Sequence, residues 1–227
     1  QYEAELRNLK ARLLAMGGRC EALIRRAVNA LENRDAGLAD EVTEGDREID
    51  ADEMAVDDLA VRILALRQPV GRDLRFLMTA IKVVTDLERI GDEAEKIARM
   101  SKSVHERGMH PSHRFPGIRH VAAEAIDMLR KSLDAFARRD AGTAAEVLAQ
   151  DPAIDDEFRS ILRQLITFMM EDPRTISSAL EVVWIAKAIE RIGDHAKNMA
   201  EQVIYIVKGM DVRHTSVEDV RREIASS

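Results

Sequence analysis

The pentapeptide "ERIGD" occurs twice in this sequence, at residues 88–92 and again at residues 190–194. Each copy lies within a longer matching stretch, because "TDLERIGDEAEKIA" (85–98) corresponds to "KAIERIGDHAKNMA" (187–200). Apolar residues recur at three- and four-residue steps around both copies, which predicts two long amphipathic helices. A glycine inside a helix costs about 1 kcal/mol relative to alanine. Its repetition predicts that a neighbouring helix or a ligand shell approaches the backbone closely at both copies.

A second pair of matching stretches shows that the repetition extends over most of the chain. "RDAGLADEVTEGDREID" (34–50) and "RDAGTAAEVLAQDPAID" (139–155) are identical at ten of seventeen positions. The offset is 105 residues here and 102 at the ERIGD copies, so the second copy is slightly shortened. We interpret the chain as a tandem duplication of a unit of roughly 100 residues.

The periodicity and the composition predict an all-α fold. Hydrophobic residues make up 46% of the chain and aromatic residues only 4%, which is typical of a helical bundle. Breaker residues divide each unit into three long helices, and short connections favour antiparallel neighbours. We therefore expect six long helices in two antiparallel three-helix bundles. The expected boundaries are a first bundle over 1–104, a linker over 105–116, a second bundle over 117–210 and a C-terminal tail over 211–227.

The second helix of each unit is expected to be interrupted. Asp151-Pro152 resembles a helix N-cap followed by proline at the first helical position. This pattern predicts a break near Asp151, and near Asp46 at the corresponding position of the first unit.

Charge and cysteine content exclude several classes of function. The net charge of -7 makes the chain a poor binder of nucleic acid, whose phosphates would repel it. Cys20 is the single cysteine, so neither an internal disulfide nor a thiolate metal cluster is possible. No apolar run approaches the roughly 20 residues of a membrane-spanning helix.

Pairs of acids four residues apart recur in both units and share one helix face. Two carboxylates about 6 Å apart repel by about 3 kcal/mol at an effective dielectric constant of 20. Solvation, protonation, arginines or bound cations could offset this repulsion, and a set of oxygen ligands suits hard ions such as Mg²⁺, Mn²⁺, Ca²⁺ or Fe³⁺. The candidate metal ligands are Asp46, Asp50, Glu88, Asp92, Asp151, Asp155, Glu190 and Asp194.

Plainer interpretations of the same residues remain open. A single acidic pair on a helix is usually a solvated face, here next to Arg89 or Arg191. The glycines are equally consistent with a simple helix crossing. We interpret the change from Glu95 to Lys197 as drift of a solvated surface position, and His195 as a surface residue.

Chemistry that is absent from the sequence argues against an enzyme. The sequence contains no glycine-rich phosphate loop of the P-loop or dinucleotide type and no ExxH pair of the di-iron bundles. No arrangement of a nucleophile with a histidine and an acid is evident either.

Together the motifs resemble the PhoU family, bacterial regulators of phosphate uptake and phosphate signalling. The resemblance covers nearly the whole chain and rests on the paired "DxxID" and "ERIGD" blocks, "LRQPVGRDLRFL" (66–77) and "GMDVRHTS" (209–216). It implies two tandem three-helix bundles. It also implies multinuclear clusters of metal ions on the E(D)xxxD carboxylates, with iron, zinc, manganese and magnesium as the candidates.

The resemblance further implies a place in the cell and a set of partners. The expected function is negative regulation of phosphate uptake and of the phosphate-starvation response. The expected partners are the ATPase of the phosphate-specific ABC transporter, a sensor histidine kinase and a second copy of the chain. The protein would be cytoplasmic and would reach the membrane only through these partners. The alternative is a metal-binding stress or persistence protein of the same fold without transporter partners.

Overall fold

The computed structural model describes residues 2–107, 116–213 and 215–225 of the chain. Within these ranges every regular element is helical and no strand occurs, so the expected all-α fold is confirmed. Six long helices follow one another, with a 3₁₀ turn at Pro173–Thr175 and a short seventh helix near the end. They are α1 (Tyr2–Asn33), α2 (Ala36–Arg67), α3 (Gly71–Glu106), α4 (Pro116–Arg138), α5 (Ala141–Glu171), α6 (Ile176–Lys208) and α7 (Val217–Ala225).

The long helices form two bundles because each buries one apolar stripe. Helices α1, α2 and α3 pack on one another, and α4, α5 and α6 do the same. Their stripes include Leu13 and Ile24 of α1, Ile49 of α2 and Ile90 of α3, all with no exposed surface. Burial of side chains of this size stabilises the fold by about 1.5–3 kcal/mol each.

The repeated "RDAG" sequence starts the second helix of each bundle in the same way. Arg34 and Arg139 both adopt a left-handed backbone conformation with φ of 55°. The aspartate that follows caps the next helix: Asp35 accepts a hydrogen bond from the Leu38 amide, and Asp140 accepts from the Gly142 and Thr143 amides. Such caps are worth about 1 kcal/mol each, which accounts for the identity of this stretch in both units.

The expected interruption of the second helices is wrong, because α2 and α5 are continuous through Asp46 and Asp151. Pro152 lies inside α5, where a proline removes one backbone hydrogen bond. Burial of Leu148 and Ile154 on either side holds the helix in one piece. The Asp151 side chain accepts a hydrogen bond from Lys197 Nζ instead of capping a new helix.

The two bundles join through α3 and α6, which run antiparallel. Ion pairs show the direction, because Glu93 of α3 meets Arg191 of α6 while Asp86 meets His195 further along. Arg191 lies within the second ERIGD copy and Glu93 directly follows the first, so both copies lie at this crossing. A stacked pair, Phe76 on α3 and Phe136 on α4 with ring centroids 5.6 Å apart, extends the contact between the bundles.

The ends of the bundles differ in detail from the expectation. Helix α3 continues to Glu106, past the predicted boundary at residue 104, and α4 begins at Pro116. The rest of the predicted linker, residues 108–115, lies outside the described residues. The expected tail contains α7, which packs against α5 and buries Val220 completely. None of the helices in the described ranges has an apolar stretch long enough to cross a membrane.

Candidate functional site

The ERIGD glycines mark the points where the second helix of each bundle crosses the third. A Cβ atom at Gly91 would come within 2.7 Å of Asp46 Oδ1 and 3.1 Å of Ile49 Cγ2. At Gly193 it would come within 2.9 Å of Ile154 Cδ1. Ile49 and Ile154 stand at the same position of the two units. The close approach predicted from the sequence is therefore present, and a helix provides it.

In the first bundle the four predicted acids lie together on the face shared by α2 and α3. The charges of Asp50, Asp92 and Glu88 all act on Asp46. Arg89 lies 3.4 Å from both Glu88 Oε2 and Asp92 Oδ2, but its side chain is 58% exposed. One solvated guanidinium therefore faces four clustered carboxylates. We call Asp46, Asp50, Glu88 and Asp92 the first cluster.

Asp46 is the member of the first cluster whose negative charge is least well stabilised. Its side chain is half-buried, and its Oδ1 atom is buried without a hydrogen-bond partner. Burial, followed by the charges of Asp50, Asp92, Glu95 and Glu88, raises the pKa of Asp46 to about 7. Burial and Asp92 also raise the pKa of Glu88. The first cluster therefore has more negative charge than the surrounding protein neutralises.

Two further acids belong to these surroundings, and the sequence analysis missed them. Glu95 acts on Asp46, and Glu53 acts on Glu88. The interpretation of Glu95 as a drifting surface position is wrong, because it is only partly exposed and lies near Asp46. Glu95 stands three residues after Asp92 and seven after Glu88, on the same helix face, a spacing that could have identified it.

The second bundle brings the corresponding acids together on α5 and α6. Burial and the charges of Glu190, Asp151 and Asp155 raise the pKa of Asp194. We call Asp151, Asp155, Glu190 and Asp194 the second cluster. All eight acids predicted from the sequence thus lie in two clusters at corresponding places.

Lysines distinguish the second cluster from the first. Lys197 Nζ lies 2.6 Å from Asp151 Oδ2, and Lys187 Nζ lies 2.6 Å from Glu190 Oε2. Burial alone would lower the pKa of Lys197, but the hydrogen bond and charge of Asp151 outweigh it and raise that pKa. Two of the four carboxylates in the second cluster are therefore paired within the protein.

The donor atoms of the two clusters fit a cation unequally. In the described part of the chain, no three His, Cys, Asp or Glu side chains are arranged around one point as metal ligands. The first cluster nevertheless offers only oxygen donors, together with the unpartnered Oδ1 of Asp46, as a hard divalent cation requires. In the second cluster Lys197 donates to Asp151 and Lys187 donates to Glu190 Oε1. Glu190 Oε2 is also buried without a hydrogen bond, but Lys187 Nζ lies 2.6 Å from it.

The surface between the bundles is charged and ordered by ion pairs. Arg191 Nη1 donates to Glu93 Oε1 at 2.9 Å, and Glu93 is buried. His195 Nδ1 lies 2.9 Å from Asp86 Oδ1, and both side chains are mostly buried. The expectation that His195 is a surface residue is wrong, because the antiparallel packing of α3 and α6 covers it.

Exposed apolar side chains recur at corresponding positions of the two bundles. The matching pairs are Val61 with Ile166, Leu74 with Ile176 and Met78 with Leu180.

Comparison with known proteins places both halves of the chain in one family. The family model described as "PhoU domain" matches residues 13–101 and 118–203. A curated relative from Pseudomonas aeruginosa, "Phosphate-specific transport system accessory protein PhoU homolog", is 46% identical over 227 residues. That alignment covers 100% of this chain and 93% of the relative. The protein of the same name without "homolog" from Escherichia coli K12 is 40% identical, with coverage of 99% and 92%.

Solved structures agree with this assignment. The crystal structure of PhoU from Pseudomonas aeruginosa superposes with a TM-score of 0.88 at 47% identity, covering 92% of this chain and 100% of that one. The phosphate transport system regulatory protein PhoU from Streptococcus pneumoniae superposes with a TM-score of 0.85 at 25% identity. Coverage in that case is 93% of this chain and 99% of the other.

Proposed function

The chain belongs to the PhoU family, and we propose that it is the regulatory accessory protein of a phosphate-specific transport system. In this role it restrains phosphate uptake and represses the phosphate-starvation response while phosphate is abundant. It does so by contacting the transporter's ATPase and a sensor histidine kinase on the cytoplasmic side of the membrane. It acts as a homodimer and as a binding module, not as a catalyst.

The observation that carries this proposal is the match of a PhoU domain to each half of the chain. Relatives named as accessory proteins of phosphate-specific transport align with this chain over almost its full length. The apolar side chains exposed at matching positions of both bundles support a protein that works through contacts with other proteins.

We further propose that the chain binds metal ions on its clustered carboxylates, and the donor atoms of the first cluster are those that support this. Asp46 and Asp50 of α2 would hold the ion together with Glu88 and Asp92 of α3. A hard divalent cation such as Mn²⁺ or Mg²⁺ supplies positive charge when bound, and iron and zinc are further candidates. The contribution of the protein is to hold the four carboxylates of two helices within reach of one another.

Such an ion would couple the position of α2 to that of α3. Without it, the carboxylates of the two helices repel each other and Asp46 Oδ1 remains buried without a partner. Binding to the folded form alone would stabilise the crossing at Gly91 by mass action. Since α3 also packs on α6, the cluster connects to the second bundle through one rigid helix.

Deletion of the gene in its source organism tests the regulatory proposal. In phosphate-rich medium we expect the deletion strain to produce phosphate-scavenging enzymes, such as alkaline phosphatase, that the parent strain represses. Reintroduction of the wild-type chain should restore repression. Normal repression in the deletion strain, combined with sensitivity to metal or oxidative stress, would overturn the proposal in favour of a stress protein of the same fold.

Partner contacts are tested by affinity purification of the tagged chain from membranes after mild crosslinking. We expect the transporter ATPase and the histidine kinase to be recovered together with the chain. Light scattering on the purified protein measures the proposed dimer. Recovery of neither partner from phosphate-replete cells would contradict the proposal.

A further inference from the structure

The surroundings of the two clusters differ at several corresponding positions, and three of these differences involve residues that act on the cluster acids. Glu53 of the first bundle is replaced by Phe158 in the second, Thr85 by Lys187, and Glu95 by Lys197. Each of these three replacements makes the second cluster less negative than the first, whereas the change from Arg99, which pairs with Glu95, to Glu201 acts in the opposite sense. Arg89 and Arg191 stand at the same position of the two units but have different partners. Arg89 lies 3.4 Å from Glu88 and Asp92 of the first cluster with its side chain 58% exposed, whereas Arg191 pairs with Glu93 outside the second cluster.

The lysines of the second bundle are positioned as counter-ions, not as solvated surface charges. Their carboxylate partners are well buried, with exposed side-chain fractions of 13% for Asp151 and 11% for Glu190. Lys187 Nζ also lies 5.4 Å from the centre of the Phe158 ring, the residue that replaces Glu53. A cation over an aromatic face is stabilised, so Phe158 favours the position in which Lys187 pairs with Glu190.

Lys197 and Glu95 show the contrast at a single position. Glu95 adds one more negative charge near Asp46, and its own partner is Arg99 at 3.5 Å. Lys197 donates to Asp151, the counterpart of Asp46, at 2.6 Å. The same place in the fold therefore adds to the repulsion in one bundle and relieves it in the other.

We propose that Lys197 and Lys187 are tethered counter-ions that take the role of a metal cation in the second bundle, so that the chain binds divalent metal at the first cluster alone. This inference rests on the proposed metal binding and assigns it to one bundle. A divalent cation at the second cluster would have to displace two ammonium groups or lie beside them. The protein therefore has one crossing that depends on metal, α2 with α3, and one that does not, α5 with α6.

Titration of the purified full-length chain with Mn²⁺ compares the two clusters directly. The variants are Asp92→Asn in the first cluster, Asp194→Asn at the corresponding position of the second, and Asp58→Asn as an exposed control on α2. We expect Asp92→Asn to weaken Mn²⁺ binding at least tenfold. Asp194→Asn and Asp58→Asn should leave affinity and stoichiometry unchanged, as measured by calorimetry and by electron paramagnetic resonance of free Mn²⁺.

Exchange of the distinguishing residues provides the reciprocal test. Glu95→Lys places an ammonium group beside Asp46 and should weaken Mn²⁺ binding at least tenfold. It should also raise the melting temperature of the protein in EDTA, because Asp46 gains a partner. The double variant Lys187→Thr, Lys197→Glu should lower the melting temperature in EDTA and gain a second Mn²⁺-binding event that restores it.

The outcomes separate this inference from the proposal on which it depends. Equal losses of Mn²⁺ in Asp92→Asn and Asp194→Asn would overturn the asymmetry while leaving metal binding in place. No Mn²⁺ binding by the wild type, nor by the double lysine variant, would overturn metal binding itself. Unchanged melting temperatures of Glu95→Lys and of the double lysine variant in EDTA would overturn the counter-ion role without reference to metal.

Discussion

The carboxylate of Asp46 on α2 lies against the backbone of Gly91 on α3, so closely that a Cβ atom at position 91 would come within 2.7 Å of Asp46 Oδ1. The glycine that is unfavourable for the helix therefore permits the crossing that assembles the first cluster. Fold and candidate site depend on the same residue.

Substitution of Gly91 by alanine should destabilise the protein in spite of the better helix propensity of alanine. The gain from propensity is about 1 kcal/mol. The added methyl group collides with Asp46 Oδ1 and with Ile49 Cγ2 at 3.1 Å, and such overpacking typically costs about 1–3 kcal/mol. We expect a net loss of about 1 kcal/mol in the free energy of unfolding, measured by urea denaturation.

Gly18→Ala is the matched control for this substitution. Gly18 is exposed in the middle of α1, and a Cβ atom there would meet nothing within 4 Å. Alanine should stabilise the protein at this position by up to about 1 kcal/mol. If Gly91→Ala stabilised the protein as much as Gly18→Ala does, the crossing would not be as close as described.

Asp46→Asn should stabilise the metal-free protein at alkaline pH. The pKa of Asp46 is raised to about 7 from an ordinary value of 3.8, so the folded state binds its proton more tightly than the unfolded state does. The destabilisation of the folded state by the ionised Asp46 carboxylate is therefore absent below about pH 4, grows as the pH rises and is complete above about pH 7. In EDTA at pH 8 we expect Asp46→Asn to raise the free energy of unfolding, measured by urea denaturation, by about 1–2 kcal/mol. This figure allows for solvent screening of the half-buried group.

Asp151→Asn is the same substitution at the corresponding position and should act in the opposite direction. It removes the carboxylate that Lys197 contacts at 2.6 Å. In EDTA at pH 8 we expect the free energy of unfolding to fall by about 1 kcal/mol, since a partly buried ammonium group loses its charged partner. Stabilisation by both variants, or by neither, would contradict the electrostatic difference between the clusters.

The sequence predicted the helices and the acids because both depend on local spacing. The duplication identified Asp46, Asp50, Glu88 and Asp92 together with their counterparts, and helical periodicity placed each pair on one face. The glycine of ERIGD could be interpreted as a point of close approach for the same reason. These inferences required no knowledge of which helices are neighbours.

The role of Lys197 could not be predicted because it depends on the packing of α5 against α6. In the sequence, Glu95 and Lys197 occupy the same position of the two units with opposite charges, and such reversals are usual at solvated positions. Asp151 suggested a helix cap because proline follows it, whereas tertiary packing keeps α5 continuous and Lys197 binds the carboxylate. The burial of His195 similarly depends on the contact between bundles, about which local patterns carry no information.

Arg191→Ala should destabilise the contact between the two bundles. Arg191 Nη1 donates to Glu93 Oε1 at 2.9 Å, and the alanine variant leaves that buried carboxylate with Lys96 at 3.6 Å. Loss of one partner of a buried charged group costs about 1–3 kcal/mol. Arg159→Ala, which breaks an exposed pair with Asp156 on α5, should change the free energy of unfolding by less than about 0.5 kcal/mol. Equal effects of the two variants in urea denaturation would mean that the pair between the bundles is solvated.

Mn²⁺ affinity should fall in acid, and protons should be released when the ion binds. With the pKa of Asp46 at about 7, roughly half of the metal-free protein carries a proton there at neutral pH, and the ion requires the carboxylate. Below pH 7 the apparent affinity should fall by up to about tenfold per pH unit. Calorimetry at pH 7 in buffers of different ionisation enthalpy measures the released protons directly.

The Asp58→Asn control should release as many protons as the wild type, whereas Asp46→Asn should bind Mn²⁺ more weakly and release fewer. An affinity that stays constant between pH 8 and pH 6 would show that Asp46 is not among the ligands, whichever other carboxylates hold the ion.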